Sequence, residues 1–153
     1  FEFCIPGMII QSDKKEFKPK TTNSTNYDWS KRTFLLVEDE RTNYNLLMIM
    51  LRPSKVRLIW AKDGQQAIDL MQEHIDVIDL VLMDIRLPLM NGYDATRAIK
   101  KIKPEIPVIA QTAYAMEIEI TKAMEAGCDD YVTKPIDRQL LLAKIDAKLQ
   151  SKE

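Results

Sequence analysis

Three carboxylates, a lysine and a threonine stand where apolar runs give way to polar residues. Glu38 and Asp39 follow FLLV at 34–37, Asp84 follows the run at 79–83, Thr112 stands just past PVIA at 107–110, and Lys134 follows YVT at 131–133. Carboxylates brought together raise the cost of ionising all of them. A hard divalent cation removes that cost, and magnesium does so with an octahedron of oxygens, some of them water. Asp39 and Asp84 can supply oxygens directly, Glu38 can hold a bound water, and the backbone carbonyl of Arg86 is a further ligand. Beside such a metal, Asp84 can attack a phosphoryl group as a nucleophile. Lys134 and the metal would neutralise charge on the transferred oxygens, and the Thr112 hydroxyl could donate to one of them.

These residues are far apart in sequence and need a fold that gathers them. From Thr33 onward, strand and helix patterns alternate five times. The first strand, 34–37, leads to a helix over 41–51 that Pro53 ends. A strand at 56–60 leads to a helix over 64–74, with Asp63 and Gln66 spaced as a capping box and Ala67, Ile68 and Met71 inward. The strand at 79–83 is apolar after its first residue, as a strand buried on both faces must be. A helix over 93–102 would turn Tyr93, Ala98, Ile99 and Ile102 inward. The strand at 107–110 precedes a helix over 115–126 that Gly127 stops, and the strand at 131–133 precedes a helix over 137–150 carrying Leu141, Ile145 and Leu149. Five such units imply an α/β fold with a doubly wound parallel sheet and helices on both faces. All the polar residues singled out then share the carboxyl-end rim, where such sheets bind ligands.

The 153 residues, 46% hydrophobic and 29% charged, suit one globular domain with a tail. A net charge of −1 gives no broad basic face, so direct nucleic-acid binding is not expected. Two cysteines, Cys4 and Cys128, lack disulfide-framework or zinc spacing and suit a reducing, cytoplasmic setting. No apolar run approaches the roughly 20 residues of a membrane helix. FEFCI at 1–5 alternates like a strand, and residues 12–31 are polar and read as a linker to a domain over 32–150. The only histidine, His74, lies in the second helix pattern and reads as solvated. Trp60 reads as packing at a strand end and Cys128 as a small buried residue.

LLVEDE (35–40), DLVLMDIRLPLMNGYDA (79–95), PVIAQTAYA (107–115) and AGCDDYVTKP (126–135) together resemble the receiver domain of two-component response regulators. The resemblance implies a flavodoxin-like fold with strand order 2-1-3-4-5 and five flanking helices. It implies that Asp84 is the phosphoacceptor, that Glu38 and Asp39 complete a magnesium pocket, that Lys134 contacts the phosphate, and that the bond from Lys134 to Pro135 is cis. Thr112 would be the switch hydroxyl and Tyr131 the switch aromatic. Together they would shift the face built from the fourth helix, fifth strand and fifth helix, through which a homodimer could form. VEDERTNYNLL and QTAYAM resemble receivers fused to histidine kinases, and FEFCIP (1–6) resembles the last strand of a kinase ATP-binding domain. On that reading residues 1–11 end a kinase domain of a hybrid sensor kinase, whose parent chain could be membrane-bound with this domain on the cytoplasmic side. The donor is a phosphohistidine on a kinase domain, in cis or in trans, and the next acceptor water or a histidine phosphotransfer protein. As given the segment is an acceptor and not itself an enzyme, and output is expected through another domain or chain.

Two rivals use part of the same set. A phosphatase of the haloacid dehalogenase type would need a DxD pair, whereas Ile85 and Arg86 follow Asp84. An interaction module that keeps only the fold would not require the acidic set. Two departures from the family pattern stand out. Gln111 replaces the usual apolar residue before Thr112, and Arg86 and Tyr114 are bulky where the family tunes water access to its phosphoaspartate. We therefore expect the wild type to lose phosphate more slowly than Arg86→Ala/Tyr114→Ala. Timed dephosphorylation checks this, and equal or slower loss in the variant would sink it.

Overall fold

The strands β1 (Thr33–Val37), β3 (Leu80–Asp84) and β4 (Val108–Thr112) are buried at every residue. Apolar side chains on both faces allow this only in a sheet covered on both sides. In the computed structural model, which describes residues 26–114 and 116–150, that sheet is completed by β2 (Arg57–Ala61) and β5 (Asp130–Thr133) at its edges. All pairings are parallel and the order is β2-β1-β3-β4-β5, as expected. The crossovers are α1 (Arg41–Leu51), α2 (Gly64–Glu73), α3 (Gly92–Ile102) and α4 (Glu117–Ala126), and α5 (Arg138–Gln150) closes the described chain. The strand pattern at 1–5 and the domain end read at 1–11 lie outside the described residues.

Alternation along the strands builds two cores. Leu35, Val81, Met83, Val108 and Ala110 meet Ala67 and Met71 of α2, Ile99 of α3 and Ala123 of α4. Leu36, Leu80, Leu82, Ile109 and Val132 meet Leu47 and Leu51 of α1 and Leu141, Ile145 and Leu149 of α5. Trp29 joins the second core at 5% exposure, stacked by Tyr27 and tilted against Phe34. The last residues of the segment read as linker therefore belong to the packed unit, because two aromatic rings bury more area there than the polar residues around them cost.

Local signals explain most boundaries. Asp63 caps α2 by accepting from the Gln66 N–H at 2.8 Å, while the Gln66 amide oxygen accepts from Lys62 N–H at 2.6 Å. Asn91 caps α3 through the Asp94 N–H at 2.9 Å. Pro53 enters a 3-10 turn at Arg52–Ser54 just past α1, and Gly127, with φ +112°, ends α4. Some expectations shift. On α3, Ile99 is buried and Tyr93 and Ile102 pack against the core as expected, but Ala98 is only half-buried and Ala95 and Thr96 are buried instead. α4 begins at Glu117 rather than 115, and α5 at Arg138 rather than 137. β3 and β4 run on to Asp84 and Thr112, since their ladders continue through the pairs Asp84↔Gln111 and Thr112↔Thr133.

Gly92 closes the turn that follows Asp84. Its N–H donates to the Ile85 carbonyl at 2.9 Å, and a Cβ there would lie 2.4 Å from the Asp84 carbonyl oxygen and 2.7 Å from Ile85 Cα. Backbone cannot yield as a side chain can. At Gly64 the obstacle is only the Met90 side chain, nearest at 2.9 Å. Gly92→Ala should lower stability by about 2–3 kcal/mol in urea unfolding, and Gly64→Ala by clearly less.

Candidate functional site

The carboxyl ends of β1 and β3 bring Glu38, Asp39 and Asp84 together, with one oxygen from each within 4.8 Å of the others. Glu38 is fully buried, Asp84 is 3% exposed, and Asp39 is open to solvent. Lys134 arrives from the end of β5 and places Nζ 3.3 Å from Asp84 Oδ2 and 3.6 Å from Glu38 Oε2. In the sheet β4 stands between the strand of Lys134 and that of Asp84, and β3 and β4 between it and that of Glu38, yet the side chain closes the gap. The Lys134–Pro135 bond is cis.

The two buried carboxylates are each held by a backbone N–H. Asp84 Oδ1 accepts from Arg86 N–H at 3.0 Å, and Glu38 Oε1 accepts from Glu40 N–H at 3.2 Å and from the Asn43 amide at 3.5 Å. Below Glu38, the Trp60 indole N–H donates to the Glu38 carbonyl at 2.8 Å. The Trp60 ring stacks on Tyr44 at 4.2 Å, with Arg41 and Lys62 over it at 5.4 and 5.0 Å. The strand-end packing read for Trp60 is thus also a prop for the acidic loop. The sequence offered only an aromatic at a strand end, and its hydrogen bond required the fold.

Burial first, and Asp84 second, push the Glu38 carboxyl up to about 7, against the pull of Lys134 and the Glu40 N–H. Glu38 Oε2 is buried and has no hydrogen-bond donor. An anionic oxygen left this way, beside two further carboxylates, fits a hard divalent cation and fits no anion.

Thr112 and Tyr131 reach the same rim but have other partners. The Thr112 hydroxyl donates to the Tyr114 carbonyl at 3.0 Å and accepts from Tyr114 N–H at 3.1 Å, and it has no hydrogen bond to Asp84. The Tyr114 ring lies under the Arg86 guanidinium at 4.6 Å, so the two bulky residues at the pocket mouth meet each other. Tyr131 is half-buried, with the Lys144 ammonium over its ring at 4.6 Å. Other acidic residues have structural work at the opposite ends of the strands. Asp79 accepts from Thr33 N–H, and Asp129 accepts from Val108 N–H and Lys100. Cys128 is buried, as read, and burial raises its thiol to about 11. His74 caps the end of α2, partly exposed and away from the acidic cluster.

The family description "Response regulator receiver domain" matches residues 34–146. Hybrid signal transduction histidine kinase I of Dictyostelium discoideum is 39% identical over 122 residues, which are 75% of this chain and 7% of that protein. The transcriptional regulatory protein CpxR of Escherichia coli (strain K12) is 39% identical over 116 residues, 76% of this chain and 48% of that one. The chain thus spans less than half the length of these relatives. Among solved structures, the receiver domain of sensor histidine kinase PA1611 from Pseudomonas aeruginosa PAO1 has a TM-score of 0.72 at 34% identity, covering 78% of this chain and 98% of that one. That structure has a magnesium ion coordinated in its active site cleft.

The raised Glu38 carboxyl makes stability pH-dependent in metal-free protein. The folded state holds the Glu38 proton more tightly than the unfolded chain, whose carboxyl titrates near 4.5. The Glu38 contribution is therefore complete below 4.5 and is lost as pH rises through about 7. Urea midpoints without divalent cations should fall between about pH 5 and pH 8, and Glu38→Gln should flatten that part of the slope. A variant that keeps the wild-type slope would refute the assignment.

Proposed function

The chain belongs to the response regulator receiver domain family of two-component systems, and from that premise we propose that Asp84 is its phosphoacceptor. The observation that carries this reading is the Lys134 ammonium lodged between Asp84 and Glu38, at 3.3 and 3.6 Å, beside a third carboxylate. A charge arrangement of this kind serves a reaction in which negative oxygens arrive at Asp84.

In the proposed transfer an Asp84 oxygen bonds to the phosphorus of a phosphohistidine as the P–N bond breaks, and the imidazole nitrogen takes a proton on leaving. Asp84 Oδ1 is aimed by the Arg86 N–H, which leaves Oδ2 on the lysine side. Lys134 is at hand for the incoming oxygens. Glu38, Asp39, Asp84 and the Arg86 carbonyl would hold magnesium, which supplies positive charge to the transferring group. Loss to water or to a phosphotransfer histidine reverses the bond at Asp84.

Readout would begin at Thr112. To reach an oxygen on Asp84, its hydroxyl must leave both Tyr114 backbone partners, so the loop after β4 must shift. Tyr131 would swing inward by leaving the Lys144 ammonium on α5. Both changes fall on the α4–β5–α5 face, which we assign as the switching and homodimer surface.

We further assign the domain to a cytoplasmic-side hybrid histidine kinase. Similarity to two Dictyostelium hybrid kinases, I and M, and to the PA1611 receiver supports this. The CpxR match supports instead a regulator apart from its kinase. In either setting the partners are a phosphohistidine domain and, downstream, a histidine phosphotransfer protein. Incubation with a small phosphodonor and magnesium, then intact mass, tests the central claim. One phosphoryl should be gained by the wild type and none by Asp84→Ala. Continuous turnover would favour a phosphatase, and no gain a passive module.

A further inference from the structure

The β1–β2 ladder ends in the acidic loop, and a side chain takes over where the backbone stops. The last paired residues are Val37 and Ala61, and the Glu38 N–H donates to the Ala61 carbonyl at 3.0 Å. In a parallel ladder the next bond would run from the Asp63 N–H to the Glu38 carbonyl. The chain after β2 has already turned away, with the Lys62 N–H on the Gln66 side chain at 2.6 Å and Asp63 capping α2. The Glu38 carbonyl takes the Trp60 indole N–H instead, at 2.8 Å.

This donor is braced by its own neighbours. The Trp60 ring lies on the Tyr44 ring at 4.2 Å and 9°, with the Arg41 and Lys62 cations over it. Tyr44 belongs to the first turn of α1, and its N–H donates to the Glu40 carbonyl at 3.0 Å. The indole thus joins the Glu38 backbone to the helix that begins just past the acidic loop. Glu38 and Asp39 stand between those two fixed points and supply two of the three clustered carboxylates. A loop whose backbone is set before a cation arrives loses less freedom when the cation binds.

We propose that Trp60 is a positioning residue for the divalent cation. Its indole N–H replaces the missing backbone donor and holds Glu38 and Asp39 ready beside Asp84. The proposal rests on the reading of the three carboxylates as a magnesium site.

Trp60→Phe keeps a flat ring for Tyr44 and removes the donor. In calorimetric titration with magnesium chloride at constant ionic strength, its dissociation constant should be about five times that of wild type, the net worth of one neutral hydrogen bond. The magnesium needed for half-maximal phosphorylation from a small phosphodonor should rise by the same factor, with the maximal rate unchanged. Tyr44→Leu keeps the indole and removes its brace. It should raise the constant about twofold, and add nothing in the Trp60→Phe background. Trp29→Phe is the control, since that ring packs on Phe34 in the second core. It should lower the urea midpoint and leave magnesium binding as in wild type. An unchanged constant in Trp60→Phe and Tyr44→Leu, or an equal loss in Trp29→Phe, overturns the proposal. A wild type that binds no magnesium overturns the metal reading with it. The fivefold loss in a protein that gains no phosphoryl upholds the proposal and overturns Asp84 as acceptor.

Discussion

Three carboxylates within 4.8 Å of one another set the terms for the rest of this structure. Their mutual repulsion must be met by something, and in a rim of strand ends the means are few. Backbone N–H groups from Glu40 and Arg86 each take one oxygen. A single ammonium, Lys134, takes a share of two more. The Glu38 oxygen of that pair, 3.6 Å from the ammonium, has no hydrogen bond, and burial, with Asp84 beside it, drives the Glu38 carboxyl up. The resting pocket is thus under-neutralised, which is the electrostatic state that a cation and an incoming phosphoryl group would each relieve.

The elements around the pocket are joined by contacts of modest strength. Thr112 is tied to Tyr114 by two hydrogen bonds, and Tyr114 to Arg86 by a guanidinium over its ring. Contacts of these kinds are worth about 0.5–1.5 kcal/mol each in net terms. Their sum is of the size that separates two populated conformations, not two folds. Because Arg86 follows the proposed acceptor and Tyr114 follows the proposed switch hydroxyl, a shift of the loop after β4 also uncovers the pocket mouth.

The five strand–helix units and the carboxylate cluster were legible in sequence, because buried parallel strands announce themselves as apolar runs and the polar residues that end them stand out, whereas the strand order came from the family resemblance. Asp84, Glu38, Asp39 and Lys134 could be assigned to one rim without any knowledge of side-chain paths. What was not legible depends on three-dimensional partners. Trp29 looked like part of a polar linker until Tyr27 and Phe34 were seen beside it. On α3 the reading found Tyr93, Ile99 and Ile102 on the core but missed Ala95 and Thr96, which are small or polar and so carry little weight in apolar spacing. Gln111 could be flagged as unusual, yet that its buried amide finds no hydrogen-bond partner needed the packed structure.

The two tryptophans lie at opposite ends of the strands. Trp29 is sealed into the core near the start of β1, its backbone N–H on the Ser54 carbonyl, while Trp60 is half-buried at the end of β2 with its indole N–H on the Glu38 carbonyl. In optical terms the chain contains a reference emitter and a probe. Light from Trp29 should report whether the fold is intact, and light from Trp60 should report on the backbone of the acidic loop to which its ring is bonded. A change at the pocket that moves that loop should therefore be visible in the second emitter without attaching a label.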